Sequence, residues 1–159
     1  MTASSFQLLA LDAAPFQALF ELPDAELRRR GMLRRIADAP ATYPCRVSLQ
    51  EADAGDDLLL LPFEHQPALS PYRASGPIFV RRGVQRRDGS PGELPPYVTK
   101  RQISLRAYDA RHLIVDAAVA EGAEAIGREI RRLLGGATVE YLHLHNARRG
   151  CDSCKVVRA

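Results

Sequence analysis

Hydrophobic and polar residues alternate most clearly in the C-terminal half of the chain. Ile103, Leu105 and Ala107 alternate with Ser104, Arg106 and Tyr108. A tight turn through Asp109–Arg111 follows, and Leu113–Val119 returns, which predicts a β-hairpin. Over residues 121–134 the spacing becomes helical, with Ala123, Ile126, Ile130, Leu133 and Leu134 on one face. Glu124 and Arg128 stand four apart on the other face, and Gly135-Gly136 ends the helix. From Thr138 to about His145 alternation resumes: Val139, Tyr141, His143 and His145 share one face of a strand, and Thr138, Glu140, Leu142 and Leu144 the other.

The N-terminal half is more broken. Residues 5–11 predict a first strand, and Pro15 precedes Phe16, Leu19 and Phe20 at helical spacing. A second short helix follows Pro23, with Asp24 and Glu26 in its first turn, Arg28–Arg30 in its last and Gly31 as its stop. Residues 45–49 alternate, Cys45, Val47 and Leu49 against Arg46 and Ser48, and predict a half-buried strand entered from Tyr43-Pro44. Four leucines at 58–61, closed by Pro62, predict a strand buried on both faces, and Ile78–Val80 another short one. Residues 83–97 are rich in Gly, Pro and charge and predict a mobile loop. The expected architecture is one α+β domain over residues 1–159. A mixed or largely antiparallel sheet carries packed helices and closes on a β-β-α-β unit.

Composition narrows the function classes. Hydrophobic residues make up 46% of the chain and charged ones 26%, which fits a folded globular chain. No apolar run approaches the ~18 residues that span a bilayer, so no membrane partner is expected. No basic residue precedes the apolar N-terminal stretch and Asp12 interrupts it, so the expected location is cytoplasmic. The net charge of +3 comes almost wholly from arginine; Lys100 and Lys155 are the only lysines. With 19 interleaved acidic residues and 6% aromatics, the arginine groups do not make a nucleic-acid footprint. Three cysteines, an odd count, argue for free thiols rather than a disulfide framework.

The candidate chemistry gathers near the C-terminus. Two histidines at i and i+2 lie roughly 6–7 Å apart on one side of a strand. Asn146 leaves that strand, and Cys151-Asp152-Ser153-Cys154 follows a turn. One reading is zinc on His143, His145, Cys151 and Cys154, since imidazole and thiolate are its preferred ligands. A second is thiol catalysis, with Cys151 as nucleophile, His143 or His145 as base and Asn146 as the orienting group. Cys45 meeting His65 is a weaker version of the same chemistry. Arg73, Ser75 and the amide of Gly76 form a candidate ligand site for a small carboxylate or phosphate. A third reading is a binding or interaction module in which these side chains only pack.

Several phrases combine into a resemblance. They are Tyr43-Pro44-Cys45-Arg46, Phe63-Glu64-His65, Ser70-Pro71-Tyr72-Arg73 leading to Gly76–Val80, and His143-x-His145-Asn146-Ala147 with Gly150-Cys151. Together they resemble a bacterial family described only as a domain of unknown function, number twelve hundred and three. The resemblance spans most of the chain and implies a small bacterial protein. It implies no activity, substrate or cofactor, and whether the chain is an enzyme stays open.

Overall fold

A computed structural model describes residues 5–159. The N-terminal elements are β1 (Phe6–Leu9), α1 (Ala14–Gln17) with a 3-10 turn after it, α2 (Asp24–Arg29), β2 (Leu33–Ile36), β3 (Pro44–Cys45) and β4 (Gln50–Glu51). A long hairpin follows, β5 (Asp57–Gln66) and β6 (Ala74–Arg81), then α3 (Pro96–Thr99). The rest is β7 (Gln102–Asp109), β8 (Ile114–Glu121), α4 (Ala123–Leu134), β9 (Val139–Asn146) and β10 (Asp152–Arg158). The class is α+β, as the pattern predicts, but the strands form two five-stranded sheets rather than the single sheet expected. Their orders are β1-β10-β9-β7-β8 and β2-β5-β6-β3-β4.

The first sheet is antiparallel throughout, and its faces differ because of the alternation in β7 and β9. Leu105 pairs with Leu144 and Ala107 with Leu142, so these residues share one face. That face packs on Ile126, Ile130, Leu133 and Leu134 of α4, which makes the main apolar core. Each such fully buried side chain contributes roughly 1.5–3 kcal/mol. Ser104 pairs with His145, Arg106 with His143 and Tyr108 with Tyr141, so the opposite face is polar and aromatic. No helix is long and apolar enough to cross a membrane among the described residues.

The second sheet corrects two expectations. Residues 45–49 are not a strand: only Pro44–Cys45 pairs, and the chain then turns, with the Leu49 amide bonded to the Cys45 carbonyl at 3.0 Å. Arg46, placed on the solvent face by alternation, is 1% exposed. The leucine strand does not end at Pro62 but runs on to Gln66. Pro62 pairs with Pro77, so the two residues without N–H groups share one rung of the hairpin. Leu59, Leu61, Ile78 and Val80 then pack beneath Phe16, Phe20 and Leu27 of the N-terminal helical segment.

The β5–β6 hairpin ties the two sheets together. Gln66 Nε2 donates to the Tyr141 hydroxyl at 2.9 Å, and Ser70 Oγ donates to the His112 carbonyl at 3.1 Å. Residues 83–97 run along β1: the Gly89 amide bonds to the Leu8 carbonyl, the Gly92 amide to that of Phe6, and Asp88 accepts from the Ala10 amide. This segment, expected as a mobile loop, thereby occupies part of the exposed edge of β1.

Candidate functional site

The polar face of the first sheet carries the site. His143 and His145 project from it as their i, i+2 spacing requires, beside the stacked rings of Tyr108 and Tyr141, whose centroids are 5.1 Å apart. Gly150, at φ +76°, closes the turn after β9 and presents its carbonyl to His145 Nδ1 at 3.0 Å. The carbonyl can only accept, so Nδ1 carries the proton and the lone pair of His145 sits on Nε2. Arg106 Nη1 donates to that Nε2 at 3.4 Å.

A β-bulge then decides which C-terminal residues join the histidines. Asp152 pairs with His145, but Cys154 pairs with Leu144, so Ser153 is the extra residue. Without it, Asp152 and Cys154 would share a face. With it, Asp152 faces the histidines and Cys154 falls on the apolar face, 4% exposed in the main core. Burial pushes the Cys154 thiol well above its usual range. The structure therefore does not bring Cys154 to His143 and His145, and the expected four-ligand set with both cysteines is not assembled. Two buried side chains satisfy the bulge: Arg46 Nε donates to the Asp152 carbonyl at 2.9 Å, and the Tyr97 hydroxyl to that of Ser153 at 2.8 Å.

The fourth group comes from the second sheet. The β5–β6 register gains a residue between Phe63 and Gln66, and this second bulge turns both His65 and Gln66 toward the first sheet. The His65 ring centroid lies 4.9 Å from that of His145 and 6.1 Å from that of His143. One ligand atom each from His65, His143, His145 and Asp152 all lie within 4.8 Å of one another. His145 Nε2 and Asp152 Oδ1 are 3.9 Å apart. Nδ1 of His65 and Nδ1 of His143 are buried and have no hydrogen-bond partner. Burial, with the neighbouring His145 and His65, lowers the pKa of His143 to about 3. Burial lowers that of His145 to about 4 against the bond to Gly150, with Arg106 adding to the fall. His65 is lowered by burial and Arg106. Burial raises Asp152 to about 6 despite Arg46 and Arg106. At neutral pH the site thus presents three neutral imidazoles and a carboxylate.

The remaining sequence candidates are scattered. Cys151 is half-buried; its Sγ accepts from Arg46 Nη2 at 3.3 Å and Asn146 Nδ2 at 3.5 Å. Cys45 lies fully buried in the apolar cluster of the second sheet, in register with Phe79 and hence Leu60. His65 is five residues along β5 from Leu60, roughly 15 Å away, so the two do not meet. Arg73 is exposed and paired with Glu64 at 3.3 Å, while Ser75 and Gly76 lie in β6 rather than in a turn. The anion cradle expected there is absent because a strand presents no convergent amides. Ser75 and Gly76 instead border a shallow apolar groove of about 300 Å³. A larger cavity, about 540 Å³, sits beside Arg81, Arg82 and Arg87, away from the histidines. His112, beside the β7–β8 turn, holds the Tyr141 hydroxyl at 2.8 Å from Nδ1. Alternation reveals His143 and His145. Sequence spacing offers His65 only as a partner for Cys45, and it gives no sign of Asp152, Arg46 or Arg106 as site residues.

Residues 42–158 match a family described as protein of unknown function (DUF1203), and the chain belongs to that family. The matched span includes Arg46, His65, Arg106, His143, His145 and Asp152. The family description assigns no activity. No curated protein and no solved structure matches the chain.

Proposed function

We propose that this protein binds a divalent transition-metal ion, with zinc the first choice, on His65, His143, His145 and Asp152. One observation carries the reading: four ligand atoms from both sheets converge within 4.8 Å. Imidazole and carboxylate suit zinc, iron and related ions. The imidazoles are neutral, as metal ligation needs, and the buried Nδ1 atoms of His65 and His143 lack any partner. The bond from His145 to the Gly150 carbonyl is the outer contact that fixes the tautomer of a metal-binding imidazole. Donors around zinc at about 2.0–2.1 Å stand roughly 3.3 Å apart, so the side chains must close in slightly on binding. His65, Ser104 and Arg106 are only half-buried, which leaves the centre open to solvent along one margin. An ion there supplies Lewis-acid activation of a bound water or carbonyl. Three free cysteines suit a reducing cytoplasm.

Calorimetric titration of zinc into chelator-stripped protein tests the reading. The expected result is one site per chain, weakened at least about 100-fold by His65→Ala or His143→Ala. Absence of binding, or affinity in both variants unchanged from that of the unaltered chain, would refute it.

A second reading, a thiol nucleophile at Cys151, rests on the two donors that meet its Sγ. It requires that Cys151 be reachable. Iodoacetamide is expected to modify Cys151 in the native protein and to spare Cys45 and Cys154 until unfolding. A native protein that resists alkylation at Cys151 would end this reading.

A further inference from the structure

Arg106, His143 and Lys155 occupy one rung across three adjacent strands, β7, β9 and β10. A histidine of the candidate centre is thus flanked by a cation on each side. Neither cation has a carboxylate partner among the described residues. The one side-chain hydrogen bond of Arg106 is to His145, and Lys155 Nζ lies 4.4 Å from the Tyr141 ring centroid. Among the described residues 11 arginines meet carboxylates, Arg34, Arg81, Arg82, Arg86 and Arg132 among them, and Arg106 is one of the nine that do not. Lys155 is exposed and Arg106 half-buried, so both can be reached from solvent. A dication among these groups would be balanced within the site only by Asp152, which leaves a large formal excess of positive charge in a partly desolvated space. Such an excess is costly unless a ligand supplies the missing negative charge.

We infer that the substrate or ligand of this centre carries an oxyanion group, carboxylate or phosphate, bound between Arg106 and Lys155 on the rung of His143. The inference builds on the metal reading and names the class of ligand that the same site takes. Guanidinium offers a planar fork that matches either oxyanion, and the lysine a mobile point charge. Adjacent strands lie about 4.8 Å apart, so the two cations start roughly 10 Å from one another, within reach of a single small ligand.

The test titrates inorganic phosphate and, separately, malonate into metal-free protein and into zinc-loaded protein freed of excess metal. The proteins are the unaltered chain, Arg106→Gln, Lys155→Gln and, as an equal loss of charge elsewhere, Lys100→Gln. One anion is expected to bind, more tightly to the zinc-loaded form. Arg106→Gln and Lys155→Gln should each weaken it at least tenfold, Lys100→Gln should leave it unchanged, and zinc affinity should not fall in any of the three. The tighter of the two anions assigns the group. If zinc fails to bind but phosphate or malonate binds the metal-free chain and is lost in Arg106→Gln, the anion site stands and the metal reading falls. If zinc binds and neither anion does, or if Arg106→Gln and Lys155→Gln behave like Lys100→Gln, the inference is overturned.

Discussion

Replacing Arg46 with alanine is expected to destabilise the protein by about 3–5 kcal/mol, a large fraction of the stability of a domain this size. The guanidinium is almost fully buried and joins the two sheets. It donates to the carbonyl of Pro44 in the second sheet, and to the carbonyl of Asp152 and the sulfur of Cys151 in the first. Alanine takes a buried donor from the carbonyls of Pro44 and Asp152 and opens a cavity between the sheets, and each of these costs stability. The Asp152 carbonyl belongs to the bulge, so the variant also loosens the carboxylate that faces the histidines. Guanidinium chloride unfolding measures the loss. A change below about 1 kcal/mol would mean that Arg46 is not the link described. Arg46→Lys should recover only part of the stability, because an ammonium cannot reproduce a fork aimed at three acceptors.

The metal-free protein is expected to lose stability, on the order of 3 kcal/mol, as the pH falls from about 6.5 to about 4. His143 and His145 titrate near 3 and 4 in the folded chain, and burial is the leading cause for both. In the unfolded chain they take protons near 6.5. Their contribution is therefore fully present above that value and is withdrawn as acid favours the unfolded state. His65 is lowered too and acts in the same direction. Asp152 acts against them. Its folded value of about 6 lies above the unfolded one, so acid below pH 6 relieves a buried charge and returns part of the loss. The neighbouring cations Arg106 and Lys155 at His143, and Arg106 and Arg46 at His145, disfavour added positive charge on the imidazoles. Unfolding free energies between pH 7 and pH 4 test the sign. Stability that rises or stays flat over that range would contradict neutral, buried imidazoles.

Much of the first sheet is legible in sequence because its alternation is local. The β7–β8 hairpin, α4 and β9 need only neighbouring residues to declare their faces, and His143 and His145 come with β9. The site as a whole is less legible for three physical reasons. His65 reaches it from another sheet, 78 positions before His143, and no periodicity reports a contact between sheets. Asp152 sits opposite His145 across the turn, and the bulge after it inverts the facing of every residue beyond Ser153 and so removes Cys154 from the histidine face. Strict spacing carried through Cys151-x-x-Cys154 pairs the wrong side chains with the histidines. Arg46 alternates as a surface residue, yet the chain turns after Cys45 and carries it inward. Charge alone does not reveal this, because its partners are carbonyls and a sulfur rather than a carboxylate. The β10 strand is masked in the same way, since its first residues look like a ligand motif rather than the start of a strand.

The central claim is the identity of the ligands, and X-ray absorption at the zinc edge of zinc-loaded protein tests it most directly. The expected result is a shell of nitrogen and oxygen scatterers at about 2.0–2.1 Å with no sulfur near 2.3 Å. A sulfur shell would mean that a cysteine holds the metal, and would contradict a centre built on His65, His143, His145 and Asp152.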